Sequence, residues 1–259
     1  MGADASFFNQ PRPEWFYEAP DSHDDLRAAH RQMRRICRNS LACLQRMEYE
    51  PAWNDLVHSR VLEEALDSFD NVGFRNVTPC RTLKKFHDED PALRDNKVDY
   101  GIFLQPDPGD GLADLLADLR GESVDITHFP LSDLSPTPLA ISIETKTLLA
   151  NPIEGSVQLA NWVRAHFRQL SRLLEHRGHD PANFSIPVLP IIYVCGSTWR
   201  VDFAQRHDRK TMIYEGFVVG DTQTVFGCYQ VCAAIRRLAT WVQTDFRAWW
   251  LGAATLPGR

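Results

Sequence analysis

Two charged residues end an apolar stretch, where Glu144 and Lys146 follow the run 139–143 with one residue between them. Residues two apart on a β-strand point to the same face, so this carboxylate and this ammonium group are predicted to lie together. The same spacing of acid and lysine begins at Asp95 and at Asp208, but both lie in polar surroundings. The apolar context therefore singles out Glu144 and Lys146 as candidates for chemistry.

A third charged group, Asp99, lies in the preceding apolar stretch, 98–104. Antiparallel pairing of the two predicted strands would bring its carboxylate beside Glu144. Two adjacent carboxylates repel, and a divalent cation removes the repulsion while acting as a Lewis acid and activating water. Because carboxylates are hard oxygen ligands, Mg²⁺ or Mn²⁺ is predicted rather than zinc. The alternative is a buried ion pair of Lys146 with Asp99 or Glu144 and no metal.

The elements that must position these groups follow from hydrophobic periodicity. Four stretches have the apolar spacing of helices: 22–47, 53–69, 156–174 and 222–250. Five stretches are rich in apolar, β-branched and aromatic residues, as strands are: 98–104, 139–146, 188–194, 199–203 and 212–219. This order of elements predicts a mixed α/β sandwich with one core.

Charge is distributed unevenly along the 259 residues. The segment 105–138 contains seven acids and one Arg, so it accounts for the whole net charge of −6. This acidic balance disfavours a nucleic-acid partner, because phosphate contacts dominate such binding. Arginines also follow one face of the first predicted helix, from Arg27 to Arg38, and one face of the helix at 156–174. A solvated helix face is the interpretation preferred for the first helix over a grip on phosphate.

The cellular setting is predicted from three features of the sequence. The six cysteines lack zinc-binding spacing, no apolar run approaches a membrane-spanning length, and the N-terminus lacks the apolar stretch of a secretory signal. The chain is therefore predicted to have no membrane span and to be intracellular, either cytoplasmic or nuclear. The sequence leaves the oligomeric state open.

Beyond these motifs the chain resembles the PD-(D/E)xK nuclease-like superfamily, in particular a fungal branch of it. The segments that carry the resemblance are 53–54 with 57–58, 97–99, 127–128, 138–146, 158–159 with 162, and 227–230 with 241. They extend over roughly residues 50–250, and Val98 stands where the founding pattern has Pro. The resemblance implies an α/β fold, with a restriction-endonuclease-like mixed sheet core flanked by helices and an N-terminal helical extension.

The resemblance also implies a division of the chain and roles for its residues. The expected segments are an N-terminal arm (1–20), a helical extension (21–48) and a nuclease-like domain (49–252) with an acidic insertion (105–138). In this superfamily, the residues matching Asp99 and Glu144 bind the metal and the residue matching Lys146 acts on water.

Some relatives add a His from the first core helix as a metal ligand and a Gln from the helix after the second motif. These positions correspond to His58 and Gln158. The alternative interpretation of His58 is a polar core histidine, and that of Gln158 is a cap on a neighbouring backbone.

Three hypotheses of function follow. The first is a metal-dependent phosphodiester hydrolase that cleaves DNA or RNA through Asp99, Glu144 and Lys146. The second is a nuclease-like scaffold redeployed as an enzyme on a small-molecule substrate in fungal biosynthesis, and the third is a catalytically silent binding protein. The acidic charge favours the last two, whereas the intact set of three charged residues favours a retained active site.

Overall fold

The computed structural model describes residues 23–88, 97–131, 137–180, 184–207 and 210–255. The predicted N-terminal arm, 1–20, lies outside the described residues, as does the stretch 132–136 of the acidic insertion. No helix in the described ranges is long and apolar enough to cross a membrane.

A six-stranded mixed sheet forms the centre of the fold. Its strands are β1 (Val72–Asn76), β2 (Tyr100–Leu104), β3 (Leu139–Lys146), β4 (Leu189–Cys195), β5 (Thr198–His207) and β6 (Lys210–Asp221). The strands are ordered as in the chain, and every neighbouring pair is antiparallel except β3 and β4. A parallel pair needs a long crossover connection, which here contains a helix.

Helices flank the sheet. They are α1 (His23–Arg46), α2 (Glu50–Trp53), α3 (Ser59–Leu66), α4 (Gly111–Gly121), α5 (Pro152–Arg177), α6 (Val225–Trp241) and α7 (Arg247–Ala254). Single π-helical turns, Asn54–His58 and Val242–Phe246, join α2 to α3 and α6 to α7. The predicted fold, an α/β sheet core with flanking helices and an N-terminal helix, is confirmed.

The crossover helix α5 covers the middle of the sheet, where it contacts β3 and β4. Its apolar face, including Leu159, Trp162 and Phe167, is buried, and residues 139–143 of β3 are buried as well. An Asn151 side-chain cap starts the helix, and Gly178 in the left-handed conformation ends it. Because β3 leads directly into α5, the charged end of β3 lies at the start of this helix.

Two elements were not predicted from the sequence, β1 and α4. The helix α4 lies inside the acidic insertion, where Leu112, Leu116 and Leu119 form a buried stripe. Asp110 caps this helix by accepting a hydrogen bond from the Leu112 amide. The acidic insertion is therefore partly a packed helix.

Candidate active site

The start of β2 meets the end of β3, and this brings two of the predicted site residues together. The Asp99 amide donates a hydrogen bond to the Ile143 carbonyl at 3.1 Å, so that Asp99 lies beside Glu144. Both residues are almost fully buried, with 5% and 2% of their surfaces exposed. Lys146 follows on the same face of β3 as Glu144.

The Asp99 carboxylate is held by the strand that carries the other two groups. Its Oδ2 atom accepts hydrogen bonds from the amide and from the hydroxyl of Thr145, both at 2.8 Å. Among the described residues, its Oδ1 atom has only a longer contact of 3.4 Å with the Thr78 hydroxyl. The carboxylate is therefore fixed at one oxygen, while the other retains capacity for a ligand.

Glu144 and Lys146 form a short hydrogen bond, in which the Lys146 ammonium donates to Glu144 Oε1 at 2.5 Å. Burial, followed by the negative charge of Asp99, raises the pKa of Glu144 to about 8. Burial lowers the pKa of Lys146, but the hydrogen bond and the charge of Glu144 outweigh it and the net pKa is raised. The lysine is thereby held as an ammonium ion.

A third carboxylate, which the sequence analysis did not select, comes from the first turn of α2. Glu50 Oε2 lies 3.6 Å from the Lys146 ammonium, and burial and then Asp99 raise the pKa of Glu50. Its signal in the sequence was an acid directly before Pro51, at the start of a helix. Two acids in the following helix α3 pair with arginines instead of Lys146: Glu63 with Arg60 and Glu64 with Arg236.

His58 is buried, and both of its ring nitrogens are engaged. Its Nε2 atom lies 2.9 Å from the Gly196 carbonyl, and its Nδ1 atom lies 2.9 Å from the side-chain amide of Asn54. Burial lowers the pKa of His58 to about 4, so the ring is neutral near pH 7. Because a carbonyl only accepts, Nε2 carries the proton and Nδ1 is an acceptor.

This tautomer defines a chain of hydrogen bonds from His58 to Asp99. The Asn54 amide also lies 2.9 Å from the Thr145 hydroxyl, which donates to Asp99. The NH₂ group of Asn54 faces both neighbours, because the Thr145 hydroxyl gives its one proton to Asp99 and the unprotonated Nδ1 of His58 can only accept. Both His58 nitrogens are engaged in these hydrogen bonds, and His58 as a metal ligand stays a prediction. The network connects His58 to the site through Asn54 and Thr145.

The predicted residue Gln158 lies on α5, one turn after Gly155. Gly155 allows the helix to approach the site closely, since a Cβ atom there would lie 2.6 Å from Tyr193 Cε2 and 3.0 Å from Lys146 Cγ. Gln158 Oε1 and the Tyr193 hydroxyl are buried without a hydrogen-bond partner in the described part of the chain. Tyr193 is the strand partner of Glu144 in the β3–β4 register.

The oxygen atoms of these carboxylates are the donors available to a divalent cation at the site. The described ranges contain no preformed group of three or more His, Cys, Asp or Glu side chains arranged to hold a metal. However, the carboxylates of Glu144 and Glu50 both lie within 3.6 Å of the Lys146 ammonium, and the charge of Asp99 raises the pKa of both carboxylates. Mg²⁺ usually takes one or two protein carboxylates and completes its shell with water. The oxygen donors of Asp99 and Glu144 therefore fit Mg²⁺ or Mn²⁺.

Comparison with known protein families shows the superfamily to which the chain belongs. A family model described as the PD-(D/E)XK nuclease superfamily matches residues 1–247, and the chain belongs to this superfamily. The match does not define a branch within it. No curated protein and no solved structure matches the chain significantly. The six-stranded mixed sheet with flanking helices is consistent with the restriction-endonuclease-like fold of the superfamily.

Proposed function

We propose that this protein is a metal-dependent phosphodiester hydrolase acting on nucleic acid. The proposal is supported chiefly by one observation, the 2.5 Å Glu144–Lys146 pair beside the buried Asp99 carboxylate. Asp99 and Glu144 would hold Mg²⁺ or Mn²⁺. When bound, such an ion polarises the phosphate and makes water a better nucleophile at neutral pH.

Each side chain of the site then has a distinct task. Lys146, whose raised pKa keeps it an ammonium ion, stabilises the negative charge that develops on the phosphate oxygens as water attacks. Gln158 Oε1, which is buried and has no hydrogen-bond partner among the described residues, accepts a hydrogen bond from the attacking water. Asp99 keeps its place because Thr145 fixes one of its oxygens.

The acidic insertion weighs less against this proposal than its charge alone suggests, because of where it lies in the fold. It connects the end of β2 to the start of β3, whereas Asp99 and Glu144 lie at the opposite ends of these strands. Arg177, which pairs with Glu122 of the insertion at 2.9 Å, ends α5, about 33 Å along the helix from Gly155. The described part of the insertion is thus anchored away from the candidate site.

Bases from elsewhere also neutralise part of this acidic charge. Besides the pair of Glu122 with Arg177, Asp110 accepts from Arg247 at 2.7 Å and Asp125 pairs with Lys85. The repulsion that a phosphate backbone meets near the site is therefore smaller than the net charge of the chain implies.

Cleavage of labelled oligonucleotides tests the proposal. Single- and double-stranded DNA and RNA are incubated with wild type, Lys146→Met and the control Lys210→Met, in Mg²⁺, Mn²⁺ or EDTA. We expect cleavage by wild type with either metal and none in EDTA. Lys146→Met should lower the rate by roughly 100-fold or more, whereas Lys210 is exposed on β6 and its removal should change little.

Two results would contradict the proposal. One is cleavage that survives the loss of Lys146, and the other is the absence of cleavage of every oligonucleotide with both metals. The second result would favour the small-molecule substrate considered in the sequence analysis.

A further inference from the structure

Tyr193 of β4 is a buried tyrosine to which the proposed function gives no task. It is the strand partner of Glu144, and paired residues of neighbouring strands point to the same face of a sheet. Only 5% of its surface is exposed. Its hydroxyl has no hydrogen-bond partner among the residues that the structure describes. Because a buried polar atom without a partner is unfavourable, this hydroxyl is a candidate to bind a ligand.

The packing of α5 shows how close this hydroxyl lies to the candidate site. A Cβ atom added at Gly155 would lie 3.2 Å from the Tyr193 hydroxyl oxygen and 3.0 Å from Lys146 Cγ. These two atoms are therefore at most about 6.2 Å apart, which is the sum of the two distances. The hydroxyl thus lies beside the stem of the lysine that the proposed function uses.

The Tyr193 ring is held by contacts with two neighbouring elements. A Cβ atom at Gly155 would lie 2.6 Å from Tyr193 Cε2, so the absence of a side chain there lets α5 pack against the ring. The Arg200 guanidinium of β5 lies 5.3 Å from the ring centre. Arg200 is itself paired with Asp202 and Glu215, both at 2.9 Å. Packing therefore fixes the position of the hydroxyl.

Gln158 brings a second buried atom without a partner to the same place. It follows Gly155 by three residues on α5, and residues three apart are neighbours on the surface of a helix. Helical side chains lean toward the N-terminus of their helix, so that of Gln158 extends back toward Gly155 and Tyr193. Gln158 Oε1 has no hydrogen-bond partner in the described ranges. A hydroxyl and an amide oxygen therefore converge near the start of α5.

A water molecule would satisfy both atoms. Buried waters typically make about three hydrogen bonds to polar groups that otherwise have no partner. Gln158 Oε1 can only accept a hydrogen bond from the water, whereas the Tyr193 hydroxyl can donate to the water oxygen. Burial raises the pKa of Tyr193 above its ordinary value of 10.0, so the hydroxyl keeps its proton at neutral pH.

We propose that the Tyr193 hydroxyl, together with Gln158 Oε1, holds the water that attacks the phosphate. The inference rests on the proposed function, because that function supplies the phosphate. Donation by Tyr193 and acceptance by Gln158 give the water one orientation and leave it one lone pair for attack. Since this positioning concerns the water and not the substrate, Tyr193 affects turnover rather than affinity.

Tyr193→Phe removes the hydroxyl and keeps the ring. In cleavage assays with a labelled oligonucleotide and Mn²⁺, we expect kcat to fall by about 10-fold to 100-fold and KM to change by less than about twofold. The melting temperature should stay nearly equal, because the hydroxyl has no partner to lose among the described residues. Tyr214→Phe is the control, since Tyr214 is exposed on β6 and its hydroxyl should affect neither quantity.

A double variant tests whether the two residues act on the same water. Gln158→Met removes the amide oxygen at a similar side-chain length. If the two residues acted separately, their losses of kcat would multiply in the double variant. Because both hold one water, we expect the double variant to be slower than the slower single variant by less than about threefold.

Crystal structures of wild type and Tyr193→Phe, without metal or nucleic acid, give a readout that needs no activity. In wild type we expect an ordered water within about 3.2 Å of both the Tyr193 hydroxyl and Gln158 Oε1. In the variant this water should be lost or displaced.

The outcomes distinguish this inference from the proposed function. An unchanged kcat in Tyr193→Phe, losses that multiply in the double variant, or the absence of the bridging water would each overturn the role of Tyr193. Any of these results with cleavage by wild type would leave the hydrolase intact. A bridging water in wild type without cleavage of any oligonucleotide would support the water site and contradict the hydrolase.

Discussion

The backbone amide of Thr145 donates a hydrogen bond to the Asp99 carboxylate at 2.8 Å, and Thr145 lies between Glu144 and Lys146. The peptide that separates the two charged residues of β3 is therefore bonded to the charged residue that precedes β2. Since Thr145 also uses its hydroxyl for Asp99, the three charged groups share one rigid support. This relationship makes Thr145 the first residue to vary.

Thr145→Val keeps the shape of the side chain but removes the hydroxyl that connects Asp99 to Asn54. We expect the free energy of unfolding to fall by about 1–3 kcal/mol, because buried partners lose their hydrogen bonds. Binding of Mn²⁺ should weaken as Asp99 gains freedom. Urea denaturation and metal titration measure the two effects. Thr147→Val is the control, since the Thr147 hydroxyl makes no hydrogen bond to the described residues, and equal losses in both variants would contradict the prediction.

A second prediction concerns metal and Glu144. If Asp99 and Glu144 hold the ion, Mn²⁺ or Mg²⁺ should raise the melting temperature of wild type, because a ligand bound only to the native state stabilises it. Glu144→Gln should lose this response, whereas the exposed Glu63→Gln should keep it. Thermal denaturation with and without metal decides the matter. A response retained in Glu144→Gln would place the cation elsewhere.

The same carboxylate predicts how the metal-free protein responds to pH. The pKa of Glu144 is about 8 in the folded protein, against an ordinary value of 4.5. Between these values the folded state keeps a proton that the unfolded state has lost, so this group makes stability fall as pH rises. Glu144→Gln should be more stable than wild type toward pH 8, with a flatter profile. Urea denaturation of both proteins in EDTA between pH 5 and pH 8.5 measures the effect. Identical profiles of unfolding free energy against pH would contradict the prediction.

The sequence predicted β3 and α5 well because long apolar patterns determine both. It missed β1, which has only two apolar residues, Val72 and Phe74, and lies at the edge of the sheet. It also missed α4, whose apolar stripe was obscured by the acids around it.

The site was harder to predict where its contacts are tertiary. Asp99, Glu144 and Lys146 follow from strand ends and charge. The neutral tautomer of His58 depends on Gly196, which lies 138 residues away in the turn between β4 and β5. No local pattern in the sequence signals this contact.

Gly155→Ala should separate helix propensity from packing at the site. Alanine normally stabilises a helix by about 1 kcal/mol relative to glycine. Here the new methyl group would lie 2.6 Å from the Tyr193 ring and 3.0 Å from the Lys146 stem, so we expect a lower melting temperature and slower cleavage. Gly111→Ala is the control, because its Cβ would meet nothing within 4 Å, and its stability should stay equal or rise. A stabilised and fully active Gly155→Ala protein would refute the close approach.

The buried histidines predict a loss of stability in acid. The rings of His128 and His166 are stacked 5.3 Å apart, and neither His128 nitrogen nor His166 Nε2 has a hydrogen-bond partner in the described residues. Burial lowers the pKa of His166 to about 3. Burial, followed by the interaction with His166, holds the pKa of His128 well below its usual value. An unfolded chain takes up protons near pH 6.5, whereas these rings stay neutral in the native state. Stability should therefore fall as pH drops below about 6.5.

Substitution of one ring of the pair tests this assignment. His166→Phe keeps an aromatic ring against His128 but cannot take up a proton on unfolding. Its free energy of unfolding should therefore depend less on pH between 4.5 and 6.5 than that of wild type, by about one proton. Glu144 contributes a trend of opposite sign, so the comparison is made between variants, with the exposed His207→Phe as control. Urea denaturation at several pH values gives the slopes, and equal slopes for wild type and His166→Phe would mean that His166 is protonated in the native state.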